Sequence, residues 1–551
     1  MKFFLKLRTK RVIFVCVCIS IFVRAAYSED KFGNFPAVFN LADLNGTNGF
    51  TINGINPDDQ SGCSVSGAGD VNGDGINDII IGAFFAEATF GRDGQSYVIF
   101  GSNKSWQVAI NLANLDGNNG FTMNGAFISN GKFVSGAGDI NGDGIDDFLS
   151  GGFSGSSVIF GNKKPWPAIM DLRTLNGTNG FQINGIRGSS GSFFVSGAGD
   201  VNGDGIDDIL IGDSRFNNWA GQSYVVFGSK EPWSARINIS SLNGGNGFAI
   251  DGIHPDDHSG ASVSGAGDVN GDGMDDILIG ASRANNKAGQ SYVVFGSKEP
   301  WPARMSLHIL NGANGFILNG VSGEIFDSIA VSGAGDINAD GIADLIIGST
   351  GHTINENRRG QSYVIFGSKK MWPSSINLAD LDGNNGFIIM GIDLADRSGS
   401  SVSGGGDVNG DGIDDIIIGA PGANGSVGQT YIVFGGNKQW PRIINLGDLN
   451  GHNGFTINGR AYGSSGNSVS GVGDMNGDGI DDILIGAPNI GSSAGQSYVV
   501  FGSDADEPPP SSSDTPLILG LSIGIGGGIL LTIGGYCGYQ HCYHGDYEQV
   551  Q

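Results

Sequence analysis

The chain has 551 residues, of which 98 are Gly and only 16 are Pro, and 39% of the residues are apolar. This composition excludes collagen and Pro-rich linker proteins, and it favours many short strands joined by tight turns. The formal net charge of -26 argues against nucleic-acid binding and against docking on anionic lipid, because both require clustered Lys and Arg. Such an acid excess favours metal cations or basic partners.

Residues 1–28 have the pattern of a secretory signal peptide. A basic segment ends at Arg11, an apolar run covers 12–23, and small residues at 26–28 offer a cleavage site. The apolar run is short for an uncleaved membrane anchor, which is the alternative. Of the five cysteines only Cys63 lies in the central part, so we expect no intrachain disulfide there and infer that size and bound metal stabilise the domain.

A sequence block that first appears at residue 64 recurs seven times between residues 35 and 503. Each unit contains four β segments rich in Val, Ile, Tyr and Phe, which in the first unit are 50–54, 64–69, 78–82 and 95–100. Four strands per unit and seven units predict an all-β, seven-bladed β-propeller over residues 29–503. A linear solenoid is the alternative, but solenoids usually have atypical capping repeats and this array does not.

The strand count also predicts how the ring closes. Residues 64–100 supply three strands of one blade, and the outer strand would come from the next unit, at 121–125. The last blade, 468–501, then lacks an outer strand, whereas the segment 50–54 has no earlier blade to join. We therefore expect these two to pair, which closes the ring and removes an exposed sheet edge.

The first turn of every unit has the pattern Asp-x-Asn-x-Asp-Gly-x-x-Asp. Oxygen side chains at positions 1, 3, 5 and 9, a Gly at position 6 and the carbonyl at position 7 form the oxygen-only donor set of a hard cation, as in the first part of an EF-hand loop. Without His or Cys in the loops, zinc and copper are disfavoured, and Mg²⁺ prefers smaller octahedral sites, so we expect up to seven structural Ca²⁺ ions. The alternative is seven metal-free turns, in which three carboxylates would repel one another. The predicted ligands, position 7 included, are Asp70, Asn72, Asp74, Ile76, Asp78, Asp139, Asn141, Asp143, Ile145, Asp147, Asp200, Asn202, Asp204, Ile206, Asp208, Asp268, Asn270, Asp272, Met274, Asp276, Asp336, Asn338, Asp340, Ile342, Asp344, Asp407, Asn409, Asp411, Ile413, Asp415, Asp474, Asn476, Asp478, Ile480 and Asp482.

These loops, together with Gly-Ala-Pro at 419–421 and 486–488, resemble the FG-GAP repeat family, whose best-known members are integrin α subunits. The resemblance covers about residues 35–503 and implies a propeller of the integrin α N-terminal type, with calcium on one face and ligands mainly on the opposite face. The long β-sandwich legs and the juxtamembrane Gly-Phe-Phe-Lys-Arg of integrin α subunits are absent from this sequence, so pairing with an integrin β-subunit is not expected.

The connections on the face away from the calcium loops differ most among the seven repeats. Loops on a rigid scaffold often carry function, and exposed Trp, Tyr and Arg side chains anchor interfaces. Drift in unselected surface loops is the alternative. The Trp residues that follow each third strand are expected in the core instead. The candidate ligand-binding residues are Phe85, Arg92, Arg215, Trp219, His254, Arg359 and Tyr462.

The C-terminal part predicts a membrane anchor. Residues 504–516 form a Pro- and Ser-rich extracellular stalk, 517–536 form a single transmembrane helix, and 537–551 form a cytoplasmic tail. This order gives a type I protein of the cell membrane with an extracellular propeller, and the polar tail argues against a GPI anchor. Gly520, Gly524 and Gly528 share one helix face, which predicts a homodimer. Glycosylation sequons, meaningful in a eukaryote, occur at Asn45, Asn103, Asn176, Asn238 and Asn424.

Three functions are compared. An integrin-α-like adhesion or ligand-binding receptor for an extracellular protein or glycan agrees best with an anchored, acidic propeller. A carbohydrate-binding, lectin-like propeller is the alternative, and equivalent aromatic-rich pockets between blades would support it. A hydrolase or phospholipase-related protein is the third, because one phospholipase D type carries FG-GAP repeats. The sequence shows no nucleophile–base constellation and no room for a separate catalytic domain, so we expect no enzymatic activity.

Overall fold

The computed structural model describes residues 35–87, 93–153, 155–185, 193–321, 324–325, 328–353 and 359–504. These residues form seven five-stranded sheets. The innermost strand of each sheet contacts the innermost strand of the next, and the seventh contacts the first, so the sheets form a closed ring. The predicted all-β, seven-bladed propeller is confirmed, and we number the blades 1 to 7 in the order of their innermost strands.

Within each blade the strands run from the central axis outward, as follows. The innermost strands are Ser64–Gly69, Phe133–Gly138, Phe193–Gly199, Ser259–Gly267, Ile329–Gly335, Ser401–Gly406 and Ser468–Gly473. The second strands are Asp78–Ala83, Asp147–Gly151, Asp208–Asp213, Asp276–Ala281, Asp344–Ser349, Asp415–Ala420 and Asp482–Ala487. The third strands are Gln95–Ile99, Gly155–Ile159, Gln222–Val226, Gln290–Val294, Gln361–Ile365, Gln429–Val433 and Gln496–Val500. The fourth strands are Gly120–Asn124, Gly180–Asn184, Gly247–Asp251, Gly315–Asn319, Gly386–Met390, Gly454–Asn458 and Gly49–Asn53. The outermost strands are Ile169–Asp171, Arg236–Asn238, Arg304–Ser306, Ser375–Asn377, Ile443–Asn445, Val38–Asn40 and Ala109–Asn111.

The second strands are apolar on both faces because every sheet is packed between two neighbouring sheets. In blade 1 all six residues of Asp78–Ala83 are buried, with Ile at three consecutive positions. Such a short continuous apolar run is the pattern of a fully buried strand. The hydrophobic clusters accordingly combine residues of adjacent blades, so each blade is stabilised by its neighbours.

The ring closes as the strand count predicts. Gly49–Asn53 pairs antiparallel with Gln496–Val500, with Phe50 opposite Val499, so the N-terminal strand completes blade 7. The fourth strand of blade 1 likewise comes from the next unit, because Gly120–Asn124 pairs with Gln95–Ile99. Closure by the two ends of the array leaves the third strand of blade 7 paired on both edges.

A fifth, outermost strand in every blade was not predicted from the sequence. It is three residues long, runs parallel to the fourth strand, and comes from two units further along the chain, as in the pairing of Ile169–Asp171 with Gly120–Asn124. Val38–Asn40 fills this place in blade 6 by pairing with Gly454–Asn458. Each of these strands leads into a 3-10 turn: Leu41–Asp43, Leu112–Asn114, Leu172–Thr174, Ile239–Ser241, Leu307–Ile309, Leu378–Asp380 and Leu446–Asp448.

The remaining elements are small. A two-stranded sheet joins Glu324–Ile325 to His352–Thr353, and three one-turn helical segments occupy Phe216–Trp219, Ala423–Ser426 and Ile490–Ser493. Among the described residues, no helix has both the length and the apolar character needed to cross a bilayer. The predicted signal peptide, the stalk beyond residue 504, the transmembrane helix with its three Gly residues and the tail all lie outside the described residues.

Candidate functional site

The seven predicted metal loops occupy the same place in every blade, the turn between the innermost and second strands. In blade 1 the innermost strand ends at Gly69, the loop follows, and Asp78 begins the second strand. A register shift at Gly67/Gly69 marks the bulge from which the loop leaves the sheet. Because this connection repeats in all blades, the seven loops share one face of the propeller, which we call the loop face.

The aspartate at position 1 organises the loop. Oδ1 of Asp70 accepts a hydrogen bond from the amide of Asp74 at 2.9 Å, and Oδ2 accepts one from the amide of Gly75 at 2.7 Å. Gly75 has φ +91°, a conformation that L side chains rarely adopt, so Gly is required at position 6. Oδ1 of Asp74 in turn accepts from the amide of Ile76 at 3.0 Å. The carboxylates therefore fix the backbone that would present the carbonyl at position 7.

The aspartate at position 9 is fully buried. Oδ2 of Asp78 accepts from the amide of Val71 at 3.1 Å, and Oδ1 accepts from the amide of Gly101 at 2.8 Å. Burial, together with the negative charges of Asp74 and Asp70, raises the pKa of Asp78 to about 8 against the lowering effect of the two amides. Burial likewise raises the pKa to about 8 at Asp147, Asp208, Asp276, Asp344 and Asp482, and raises it well above the ordinary value at Asp415.

The residues of each loop fit a hard cation by their chemistry. All the side-chain donors are oxygen, and the carboxylates at positions 1 and 5 both raise the pKa of the carboxyl at position 9, so a cation would favour the ionised form of all three. In the described part of the chain, however, no group of three or more His, Cys, Asp or Glu side chains converges as a metal cluster. The carboxylate oxygens instead accept hydrogen bonds from amides of their own blade, as in Asp70 and Asp78.

The Asn side chain at position 3 adopts two arrangements. Nδ2 of Asn72 donates to both oxygens of Asp78, at 3.2 and 3.3 Å. In blade 6, Oδ1 of Asn409 accepts from the amide of Asp411 at 2.9 Å. The oxygen at position 3 thus faces the loop in blade 6, whereas rotation of the side-chain amide would be needed to present it in blade 1.

The Trp residues after each third strand are core residues, as expected from the sequence. The ring of Trp166 stacks on Phe121 of the fourth strand at 4.4 Å between centroids and an interplanar angle of 7°. Phe35 replaces Trp in the first unit and stacks on Phe455 at 4.8 Å and 9°. The other five stacks are Phe50–Trp106, Phe181–Trp233, Phe248–Trp301, Phe316–Trp372 and Phe387–Trp440.

Two equivalent clefts open beside these stacks. The larger has a volume of about 780 Å³ and is lined by residues that include Asn72, Asp74, Trp106 and Lys163. The second, of about 460 Å³, is lined by the corresponding residues of another blade, among them Asp204 and Trp233. The aromatic rings in the clefts are engaged in the stacks with Phe50 and Phe181, so they contribute to the core as well as to the cleft walls.

The candidate ligand-binding residues lie on the face opposite the loop face. Arg215, Trp219, His254, Arg359 and Tyr462 are exposed, and Tyr462 reaches 78% exposure. Phe85 is half-buried against Phe84, with ring centroids 4.0 Å apart. These residues belong to several blades, and Arg92 lies outside the described residues.

Two of these candidates, Arg215 and Trp219, contact each other, and His258, which was not among the candidates, lies against the same Trp ring. The guanidinium carbon of Arg215 lies 5.2 Å from the ring centroid of Trp219, a cation–π contact. The ring of His258 lies 4.9 Å from that of Trp219, and burial followed by the charge of Arg283 lowers the pKa of His258. His258 was missed because it is a single His in a loop, and only its position two residues after Asp256 in the Pro-Asp-Asp loop could have suggested it.

All five sequon asparagines are exposed. At Asn45 and Asn176 the hydroxyl of the Thr two residues later donates to the asparagine Oδ1 at 2.7 Å. The sequons therefore lie on accessible turns, and glycosylation of the five residues stays a prediction.

Comparison with known families identifies the repeat. The FG-GAP repeat model matches residues 64–99, 194–226, 259–294, 330–365, 398–433 and 465–500, which are the first three strands of every blade except blade 2. A solved chain from the crystal structure of BBS1N in complex with ARL6DN aligns with 82% of this chain and 98% of its own length at 9% identity, with a TM-score of 0.38.

Curated relatives belong to two groups. Integrin alpha pat-2 of Caenorhabditis elegans is 29% identical over 235 residues, which is 41% of this chain and 18% of the relative. Integrin alpha-PS2 of Drosophila melanogaster is 28% identical over 40% of this chain and 14% of the relative. Phosphatidylinositol-glycan-specific phospholipase D of Bos taurus is 38% identical over 18% of this chain and 12% of the relative. The chain thus spans less than a fifth of the length of these relatives. The six matched repeats within a seven-bladed ring make the chain an FG-GAP repeat β-propeller protein similar to integrin α subunits.

Proposed function

We propose that this protein is an integrin-α-like receptor of the cell surface, which binds an extracellular ligand in adhesion through the face opposite the calcium loops. The observation that carries the proposal is the contrast between the two faces of a propeller similar to integrin α subunits. The loop face repeats the same hydrogen bonds from blade to blade, whereas the opposite face carries exposed anchors of different kinds, such as Trp219 and Tyr462. A uniform face serves stability, and a varied face serves recognition.

The proposal assigns one structural Ca²⁺ to each loop. The side chains at positions 1, 3, 5 and 9 and the carbonyl at position 7 would hold the ion, which supplies positive charge among the three carboxylates. Seven such ions would change the formal charge of the chain from -26 to about -12. We expect affinities of about 10⁻⁴ to 10⁻³ M, typical of extracellular modules.

A type I membrane protein follows from the proposed signal peptide and the proposed helix at 517–536. The ligand would be an extracellular protein or glycan. A homodimer through Gly520, Gly524 and Gly528 is part of the proposal, whereas nucleic acid is not a proposed partner.

A carbohydrate-binding function is the second candidate, and the two equivalent clefts favour it. The receptor is preferred because the aromatic rings of those clefts stack in the core. Enzymatic activity is not proposed, because the phospholipase D similarity covers only 12% of that relative's length.

Surface expression and attachment test the proposed receptor. Cells that lack the protein would express the full chain with one tag after the signal peptide and another at the C-terminus, and antibody staining before and after permeabilisation would report topology. We expect the first tag to be stained on intact cells and the second only after permeabilisation. We also expect the cells to attach to a panel of extracellular-matrix proteins in Ca²⁺ and to detach in EGTA.

A matched pair of variants separates ligand binding from folding. Trp219→Ala removes an exposed ring of the opposite face, and Ile443→Ala removes an equally exposed apolar side chain of an outermost strand. The receptor proposal predicts weaker attachment for the first variant alone. Staining of the first tag only after permeabilisation, or equal attachment with and without the protein, would contradict it.

A further inference from the structure

The larger of the two clefts beside the aromatic stacks is rich in lysine. It has a volume of about 780 Å³ and lies on the loop face, between the segment that leads from the third strand of blade 1 to Trp106 and the same segment of blade 2. We call these segments corners and the space between them the blade-1 cleft. Its described lining includes Lys104, Lys163 and Lys164 but a single acid, Asp74. The cleft is therefore locally positive in a chain whose net charge is -26.

The counterpart cleft of blade 3 has the opposite charge at equivalent positions. It has Glu231 two residues before the Trp of its corner, where the blade-1 cleft has Lys104. In the following corner, that of blade 4, Glu299 takes the place of Lys164. The Trp stacks of these two corners form with the acids in place, so the fold does not require lysine at either position. A charge that the fold does not need is a candidate for ligand recognition.

The three ammonium groups are available to a ligand. In the described part of the chain, none of them takes part in a hydrogen bond or an ion pair. The position of Lys163 is nevertheless fixed by its aliphatic part, because a Cβ added to Gly73 would lie 2.5 Å from its Cε. Lys163 lowers the pKa of Asp143 against the larger raising effect of burial, but these two side chains do not form an ion pair. Lys104 and Lys164 are exposed, so the anionic group of a ligand can reach them.

Side-chain amides form much of the remaining wall. An amide group both donates and accepts hydrogen bonds, as a sugar hydroxyl does. The amides of Gln107 and Asn114 make no hydrogen bond with another described side chain or backbone group, so they are open to a ligand. The ring of Trp106 stacks on Phe50, so polar contacts rather than ring stacking would hold a sugar here. The amide residues of the lining are Asn53, Asn72, Gln107, Asn111, Asn114, Asn118 and Asn119.

We propose that the blade-1 cleft binds an acidic oligosaccharide, a short chain of sugars that carries sulfate or carboxylate groups. The lysines would pair with those groups, and the amides would pair with the hydroxyls. A volume of about 780 Å³ lies within the range of small-ligand sites and admits a few sugar units. An acidic peptide fits less well, because it offers few hydroxyls to Gln107 and Asn114. The acidic remainder of the chain would repel a long polyanion, whereas charges more than about 8 Å from a short one are largely screened at physiological salt.

The test uses purified full-length protein in Ca²⁺ buffer and a fluorescein-labelled heparin tetrasaccharide, with cellotetraose, a neutral tetrasaccharide of glucose, and a Glu-only peptide as comparison probes. In fluorescence polarisation we expect the sulfated tetrasaccharide to bind at least about tenfold more tightly than the neutral one, and added salt to weaken it. Lys104→Glu and Lys164→Glu, which install the residues of the counterpart corners, should each weaken binding about fivefold or more, whereas Lys104→Arg retains it. Lys287→Glu makes the same charge change at an exposed residue of the opposite face and should leave the affinity unchanged.

Absence of binding, equal affinity for the sulfated and neutral tetrasaccharides, or an equal loss in the Lys287→Glu variant would overturn this assignment. Tighter binding of the Glu peptide that is lost in Lys104→Glu would also overturn it, in favour of a protein partner. The acidic ligand makes the carbohydrate-binding candidate specific for one cleft and rests on it, whereas the proposed receptor binds through the opposite face. Binding of cellotetraose that persists in Lys104→Glu would keep the carbohydrate candidate and overturn only the acidic ligand. Cell attachment tests the receptor separately.

Discussion

The backbone N–H of Asp70 donates to Oδ2 of Asp146 at 2.8 Å and so joins the loop of blade 1 to the loop of blade 2. Asp146 is the eighth residue of its loop, next to the position 9 aspartate. The same bond joins Asp139 to Asp207, Asp200 to Asp275, Asp336 to Asp414 and Asp407 to Asp481. Five pairs of neighbouring loops are therefore joined by a carboxylate, and a cation that ordered one loop would also order the acceptor for the amide of the loop before it. In blades 5 and 1, position 8 carries Ala343 and Asn77 in place of the aspartate.

Removal of one such carboxylate should weaken the ring. We expect Asp207→Ala to lower the free energy of unfolding by about 1–3 kcal/mol, because the amide of Asp139 loses its charged acceptor. Asp207→Asn should lower the free energy of unfolding by less, because the amide carbonyl of Asn still accepts the bond. The neutral side chain also no longer repels Asp275 and Asp146, whose charges, together with burial as the larger cause, raise the pKa of Asp207. Urea unfolding in saturating Ca²⁺ measures both variants, and a larger loss for Asn than for Ala would contradict the coupling.

Two Trp residues of the aromatic stacks should respond differently to substitution by Phe, because only one of them has a hydrogen bond from its indole N–H. Nε1 of Trp233 donates to the carbonyl of Ser229 at 3.0 Å, whereas Nε1 of Trp166 is buried without a hydrogen-bond partner among the described residues. We expect Trp166→Phe to be tolerated, because blade 6 already has Phe35 at this position. Trp233→Phe should lower the free energy of unfolding by about 1 kcal/mol more, because it also removes a hydrogen bond. Trp166→Ala should cost about 3–5 kcal/mol. Chemical denaturation checks the order, which equal losses for the two Phe variants would refute.

In the loops where the aliphatic part of a lysine side chain packs over position 4, that position is Gly. A Cβ added to Gly73 would lie 2.5 Å from Cε of Lys163, and φ of Gly73 is +71°. Blade 5 has Ala339 at this position with φ +60°, and the shorter Asn437 stands where the covering lysine would be. We expect Gly73→Ala to destabilise the protein by more than about 1 kcal/mol, and Ala339→Gly to be neutral or stabilising by up to about 1 kcal/mol, because it relieves left-handed strain.

Unfolding midpoints of the two variants provide the measurement. Gly273, at position 6 of the blade 4 loop, is the control: it has φ +89°, and a Cβ added there would meet only open space, so Gly273→Ala isolates backbone strain from contact with a lysine. If Gly73→Ala lowers the unfolding midpoint no more than Gly273→Ala does, the prediction is contradicted, because the side chain of Lys163 then moves aside without cost.

Cys63 should react slowly despite its partial exposure. Sγ lies 3.5 Å from the carbonyl of Gly82, and burial raises the pKa of the thiol from 9.0 to about 11. The unfolded thiol ionises first as pH rises, so between about pH 9 and 11 the folded state loses stability relative to the unfolded state. Below pH 9 both states keep the proton and the contribution is constant.

Peptide-resolved alkylation with iodoacetamide measures this shift. We expect the labelling rate of Cys63 to rise about tenfold per pH unit up to about pH 11, because only the thiolate reacts. The stability of a Cys63→Ser variant should lose the corresponding pH dependence. A labelling rate that levels off near pH 9 would contradict the raised pKa.

The fold was predictable because the sequence repeats. Seven copies of a four-strand unit determine the blade count, and the surplus strand at 49–53 determines closure. The outermost strands were missed because three residues such as Ile169–Asp171 carry too little periodicity to distinguish a strand from a turn. Their parallel pairing depends on a unit two steps away in sequence, which local patterns do not report.

The two faces differed in how far the sequence could predict them. The Asp-rich loops lie in the turns that the sequence predicts, between the innermost and second strands, because their spacing is local, whereas metal binding by their residues stays a prediction. The cluster of Arg215, Trp219 and His258 depends on a contact between two loops that are far apart in sequence.

Calcium in the seven loops is tested most directly by thermal unfolding of the purified protein, first in millimolar Ca²⁺ and then in EGTA. We predict a large drop in Tm on chelation, restored by Ca²⁺ and much less by Mg²⁺, because the negative charges of the three carboxylates in each loop would then lack a cation that neutralises them. An unchanged Tm in EGTA, with elemental analysis showing that the protein in Ca²⁺ buffer contains no calcium, would contradict it.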